Sequence, residues 1–172
     1  IDPDRFFVSI TLDADNREYG FLATELICIG VGRDEQPPQL LWRIALAGSQ
    51  ATLAVDSDGS LAVPRTEFGD NSRVPNQLFL CKVNPTGQFD RYFGHNGRTV
   101  INTEPLWQGV TLHDSGTSVP NEDTCEAAVY DQSRRLVLAI TSTRNDVAKL
   151  CLVRLNADGS PDNTFAPDGL ME

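Results

Sequence analysis

The sequence predicts an all-β protein assembled from repeats of a strand–turn–strand unit, and three observations carry that prediction. Leu78 to Gly97 (LFLCKVNPTGQFDRYFGHNG) aligns without a gap on Leu150 to Gly169 (LCLVRLNADGSPDNTFAPDG). A hairpin pattern, Ala54 to Val63 (AVDSDGSLAV), precedes the first of these, and Val129 to Leu138 (VYDQSRRLVL) precedes the second. Composition agrees: 13 Gly and 10 Pro scattered along 172 residues suit many short turns, and a single Met fits poorly with helices carrying the fold.

A shift of 72 positions places Leu80 on Leu152, Lys82 on Arg154, Asn84 on Asn156 and Gly87 on Gly159. It also places Asp90 on Asp162, Phe93 on Phe165 and Gly97 on Gly169. Coincidence of such distinctive residue types is the signature of a repeat. Alternation in Leu78-Phe79-Leu80-Cys81-Lys82-Val83 predicts a strand buried on one or both faces. Gly59, Gly87 and Gly159 supply left-handed backbone at tight turns, and Asn84 and Asn156 end their strands with side chains that bond turn amides. Phe93 and Phe165 are expected to return to the core.

A first, weaker copy is expected upstream. Ile10 to Leu22 matches the hairpin half, and Leu41 to Ser49 the later strand, with Arg43 at the Lys82 and Arg154 position. The expected organisation is one repeat domain, 1–172, with units near 7–50, 51–104 and 124–172 and an inserted loop at 101–123. Such a unit cannot bury its own apolar faces and leans on its neighbours.

Charge and cysteines limit the function classes. A formal charge of -10 repels phosphate backbones and anionic membrane surfaces, which speaks against a nucleic-acid partner. No apolar run approaches the ~18 residues of a membrane-spanning helix, so membrane insertion is not expected. The chain starts at Ile1, which suggests trimming of a longer protein or removal of a leader. Cys28, Cys81, Cys125 and Cys151 form no C-x-x-C pair, so no zinc site is expected. Buried free thiols and one or two disulfides both remain open.

These residues resemble the delta-60 repeat family of bacterial proteins. Leu152 to Asp162, followed by Asn163-Thr164-Phe165, nearly completes that family's L-A-R-L-N-x-D-G-S-x-D-x-x-F pattern; Leu80 to Gly97 matches well, and Asp56 to Leu61 matches the hairpin half. The resemblance implies a β-propeller-like array of antiparallel four-stranded blades. About three repeats would be present here, as part of a larger or oligomeric propeller. It implies a bacterial protein, secreted or at the cell surface, and carries no catalytic signature and no cofactor.

The candidate sites are few. Asp13 to Asn16, Asp56 to Gly59 and Asn156 to Gly159 are oxygen-rich turns, yet Phe165, Phe68 and Pro64 fall where a calcium loop needs its bidentate Glu. Hairpin chemistry explains these turns, and no metal site is assigned. Glu122-Asp123 is expected to be a solvated charge run. His95 is expected in a loop of the repeat, and Trp42 in the core. Trp107, in the inserted loop, is a candidate for stacking on a sugar or anchoring a partner, or else for capping a sheet edge. His113 and Asp114 bring together residue types of a hydrolase triad, but chain neighbours do not converge and no G-x-S-x-G elbow accompanies them. Trp107, His113 and Asp114 are therefore carried as ligand-binding candidates with no catalytic residue named. The expected function is a non-enzymatic binding or scaffold module for a protein or carbohydrate, with further blades or self-association. A propeller-type hydrolase or lyase acting on a glycan or ester, or a purely structural assembly piece, are the alternatives.

Overall fold

The computed structural model describes residues 7–12, 17–22, 25–30, 39–46, 52–67, 77–111 and 122–172. Alternating apolar residues between turn signals become strands, and among the described residues no α-helix occurs. The first sheet contains β1 (Phe7–Leu12), β2 (Arg17–Leu22), β3 (Glu25–Gly30) and β4 (Gln39–Ala45). The second contains β5 (Ala54–Val55), β6 (Leu61–Glu67), β7 (Gln77–Val83) and β8 (Arg98–Val100). The third contains β9 (Glu122–Tyr130), β10 (Leu136–Arg144), β11 (Val147–Leu155) and β12 (Leu170–Met171). Each is an antiparallel meander with its strands in chain order.

Turn chemistry sets the meander. Among the described residues, four turns share one pattern, in which the first residue's N–H donates to the fifth residue's carbonyl and the fourth residue's N–H to the first residue's carbonyl. They run from Asp56 to Ser60, Asn84 to Gln88, Asp131 to Arg135 and Asn156 to Ser160. The fourth place demands a left-handed backbone: Gly59, Gly87 and Gly159 take φ of 79°, 82° and 86°. Arg134 holds the same place at φ 60°.

Past these turns, Asp90 and Asp162 send the chain back along the sheet by equal means. The Asp90 amide donates to the Lys82 carbonyl at 2.8 Å and the Asp162 amide to the Arg154 carbonyl at 2.9 Å. Their carboxylates accept from the amides of Tyr92 and Thr164. The first unit needs a correction. Arg43 lies on β4, the fourth strand, whereas Lys82 and Arg154 lie on third strands, so the likeness around Leu41 to Ser49 is not positional. The third strand there is the apolar run from Leu26 to Ile29.

Sheet 2 lies between the other two. Leu26 and Cys28 of β3 pack with Leu61, Val63 and Val83 of sheet 2. On the other side, Leu78, Leu80 and Phe93 pack with Leu136, Leu138, Ile140, Cys151 and Val153 of sheet 3. β7 is consequently buried on both faces from Leu78 to Val83. Phe93 does return to the core, but Phe165 is only half buried, with the Arg154 guanidinium 4.6 Å from its ring centre.

Each junction between sheets uses a turn glycine of the following sheet. A Cβ on Gly87 would lie 2.7 Å from the Trp42 ring, and one on Gly159 would lie 2.9 Å from Phe93 and 2.5 Å from the Thr99 hydroxyl. Trp42 is thus a joint between sheets, its indole N–H donating to the Pro85 carbonyl at 3.0 Å. Thr99 donates to the Gly159 carbonyl at 2.8 Å.

These contacts make a controlled prediction. Gly159→Ala combines backbone strain with overpacking and lowers stability by about 2–4 kcal/mol in urea unfolding. Gly109, at φ 75° with nothing within 4 Å of its added Cβ, carries the backbone cost alone. Gly109→Ala is expected to lose about 1 kcal/mol, and equal losses for the two variants would refute the close approach at Gly159.

Candidate functional site

The polar groups of the described residues concentrate in three places, and two of them join parts of the chain. The first surrounds Asp123, which is buried at the start of β9 rather than lying in a solvated run. Its carboxylate accepts from the Ser142 hydroxyl at 2.6 Å, the Thr103 hydroxyl at 2.8 Å and Arg144 Nη1 at 3.0 Å. Its backbone carbonyl accepts from Thr66 of β6 at 3.1 Å. Alternation along β10 aims Ser142 and Arg144 at the same covered face as Leu138 and Ile140, which is why the partners converge.

Trp107 belongs to this network. It ends a 3₁₀ helix, Glu104–Trp107, that starts after Thr103 with Pro105 in its first turn. The indole is 8% exposed, and its N–H donates to Ser142 at 3.0 Å. Arg144 and Lys149 stand 5.8 and 5.4 Å from its ring centre, and the Lys149 ammonium donates to the Leu106 carbonyl at 2.9 Å. Ring stacking on a ligand requires an open face, which this placement does not give; the residue fastens the 101–107 segment across sheet 3. Gln108, Gly109, Val110 and residue 111 are the exposed end of the described segment. His113 and Asp114 lie outside the described residues.

The second place ties sheet 3 back to sheet 2. Arg134, held at left-handed φ, donates from Nε to the Asp56 carboxylate at 2.8 Å and from Nη2 to the carboxylates of both Asp56 and Asp58. Asp56 is buried and Arg134 is not, so the bridge closes over the hairpin turn from the solvent side. The Tyr130 hydroxyl lies buried nearby without a hydrogen-bond partner, and burial pushes its acidity well away from the ordinary range toward the neutral form.

The third place is an open cleft of about 520 Å³ where sheets 2 and 3 meet, lined by Tyr92, His95, Arg98, Thr99, Val100 and Asp158 among others. Its chemistry is that of turns. The Asp158 carboxylate accepts from the Ser160 hydroxyl and amide at 2.7 and 2.9 Å, and these bonds hold its pKa below the ordinary carboxylate value. His95 is exposed in its loop and contacts Asn96 at 3.2 Å. Ser160 is thus tied to a carboxylate that orders its own turn rather than to an imidazole base. Among the described residues, no three His, Cys, Asp or Glu side chains gather as metal ligands.

All four cysteines are buried. Cys125 and Cys151 are free thiols, pushed by burial up to about 12 and about 11, far from the thiolate a nucleophile needs. Among the described residues, no helix is long and apolar enough to cross a membrane. No protein-family model matches the chain, and neither does any curated protein sequence.

Sequence reasoning missed the Asp123 network because its members come from separated stretches. Removing the Asp123 carboxylate strands a buried guanidinium, so Asp123→Ala is expected to cost about 3–5 kcal/mol. Urea denaturation followed by Trp107 fluorescence checks this, and a loss below about 1 kcal/mol would contradict it.

The turn carboxylates set an acid limit. Hydrogen bonds from the Arg135 amide to Asp131, from the Ser160 hydroxyl to Asp158 and from the Thr164 hydroxyl to Asp162 hold each below the ordinary 3.8 in the folded chain. Because the folded values are depressed, their contribution is complete above 3.8 and is lost as pH falls through the folded values. The thermal midpoint is therefore expected to stay level from about pH 7 to about pH 5 and to fall below about pH 4, less steeply in Asp162→Asn. A fall that is equally steep in that variant would remove Asp162 from the account.

Proposed function

We propose that this chain is a non-enzymatic binding or scaffold module built from delta-60-like units, arranged as blades of a β-propeller-like array. The observation that carries the reading is the repeated junction. Trp42 meets the turn of Gly87, and Phe93 with Thr99 meets the turn of Gly159. Distinctive side chains are spent on joining one four-stranded meander to the next, as a repeat scaffold requires.

Recognition falls to loops displayed at one face of such a scaffold. The 101–123 segment fits that task best: Thr103, Leu106 and Trp107 give it a buried base, and Gln108 to Val110 lie exposed beyond them. The partner is a protein or a carbohydrate, and the setting is a secreted or surface protein of a bacterium. A hydrolase or lyase reading is not favoured, because the described His95 contacts a loop amide and Ser160 serves its turn.

The test compares the wild type with a His95→Ala/His113→Ala double variant on panels of glycans and esters. Neither protein is expected to release product above the blank. Turnover by the wild type that disappears in the variant would replace the module with an enzyme.

A further inference from the structure

The loops that follow β7 and β11 share a frame but differ in what they display. Asn84 and Asn156 open equivalent turns, and Asp90 and Asp162 return the chain to the sheet. At the outward places Phe89, Arg91 and Tyr92 stand where the later loop has Pro161, Asn163 and Thr164. The Thr164 hydroxyl is taken up by the Asp162 carboxylate at 2.6 Å. Tyr92 instead points its bulk at solvent and is 77% exposed, and Phe89 is 43% exposed.

Tyr92 lines two open clefts. One is the cleft of about 520 Å³ where sheets 2 and 3 meet; the other, of about 610 Å³, is lined by Asn84, Gln88 and Phe89. The Arg91 guanidinium lies 5.0 Å from the Tyr92 ring centre and donates to its hydroxyl at 3.0 Å, which steadies the ring. So exposed a ring keeps a face open, the condition that Trp107 does not meet. The backbone beneath is fixed in advance: the Asp90 carboxylate accepts from the Tyr92 amide at 3.0 Å, and the Gly94 amide donates to the Asp158 carbonyl at 2.7 Å. Polar groups along the clefts are uncommitted. Asn84 uses its side-chain oxygen on the amides of Thr86 and Gln88, and Asp158 uses Oδ1 on Ser160. Asn84 Nδ2 and Asp158 Oδ2 have no hydrogen-bond partner among the described residues.

We propose that Tyr92 and its two clefts bind a neutral carbohydrate chain, one sugar ring stacking on Tyr92 and its neighbours running into the cleft on either side. A sugar ring offers an apolar C–H face and hydroxyls that both donate and accept. The site answers with an aromatic platform, a donor at Asn84 and an acceptor at Asp158. Each cleft has the size of a small-ligand site, whereas a protein partner needs a contact of about 800 Å² on each side. The formal charge of -10 opposes an anionic chain. This inference rests on the binding-module reading and names its partner class, at a site apart from the 101–123 segment. Calorimetry reports binding and product release reports turnover, so either can fail alone.

Isothermal titration of the full chain with cellohexaose, laminarihexaose, maltohexaose, mannohexaose and xylohexaose tests it. At least one is expected to bind with Kd below about 1 mM. Tyr92→Ala is expected to weaken that binding at least tenfold with urea unfolding unchanged, whereas Tyr92→Phe, which keeps the ring, stays within about threefold of the wild type. Val129→Ala, exposed on sheet 3, is the control and is expected to bind as the wild type does. Absence of binding to all five sugars, binding that survives Tyr92→Ala, or equal losses in Tyr92→Ala and Tyr92→Phe would each overturn the inference. So would a Tyr92-dependent complex with a protein when no sugar binds.

Discussion

A four-stranded sheet that packs neither face against a neighbour covers too little apolar surface to offset the entropy of ordering its strands. That constraint governs this molecule. Sheet 2 meets it fully: β7 is buried on both sides, with Leu78 and Leu80 against sheet 3 and Val83 against sheet 1. Sheet 1 and sheet 3 are held through what they share with it. The consequence is a chain in which residues of one unit are chosen for the shape of the next.

Glycine at the turn shows how far that choice goes. In Asn84 to Gln88 and Asn156 to Ser160 the fourth residue has a left-handed backbone, which asparagine or aspartate also adopts. What excludes a side chain is the neighbour: Trp42 fills the space beside Gly87, and Phe93 and Thr99 fill it beside Gly159. At Arg134 the same place holds a long side chain, which is used to bridge to Asp56 and Asp58. The turns of Gly87 and Gly159 thus read both as local chemistry and as the mark of a junction.

Much of this was legible in the sequence because turns and alternation are local. The hairpins around Asp56 to Ser60 and Asp131 to Arg135, and the third strands at β7 and β11, announce themselves by period and by turn residues. The fourth strands β8 and β12, of three and two residues, have no period to detect. Arg43 misled because an arginine within an apolar strand recurs on β4, while the true third strand, Leu26 to Ile29, shows only continuous apolarity. Asp123 misled in the opposite sense. Next to Glu122 it looks solvated, and only the fold brings Thr103, Ser142 and Arg144 around it. Long-range partners of that kind leave no trace in spacing.

Native-state hydrogen exchange on β7 and β10 measures the interdependence of the sheets most directly. If each sheet is stable only against its neighbour, the slowest amides of Leu80 and Leu138 exchange with the same free energy, equal to that of global unfolding. Slow amides in sheet 3 that open several kcal/mol below those of sheet 2, with sheet 2 left protected, would contradict it.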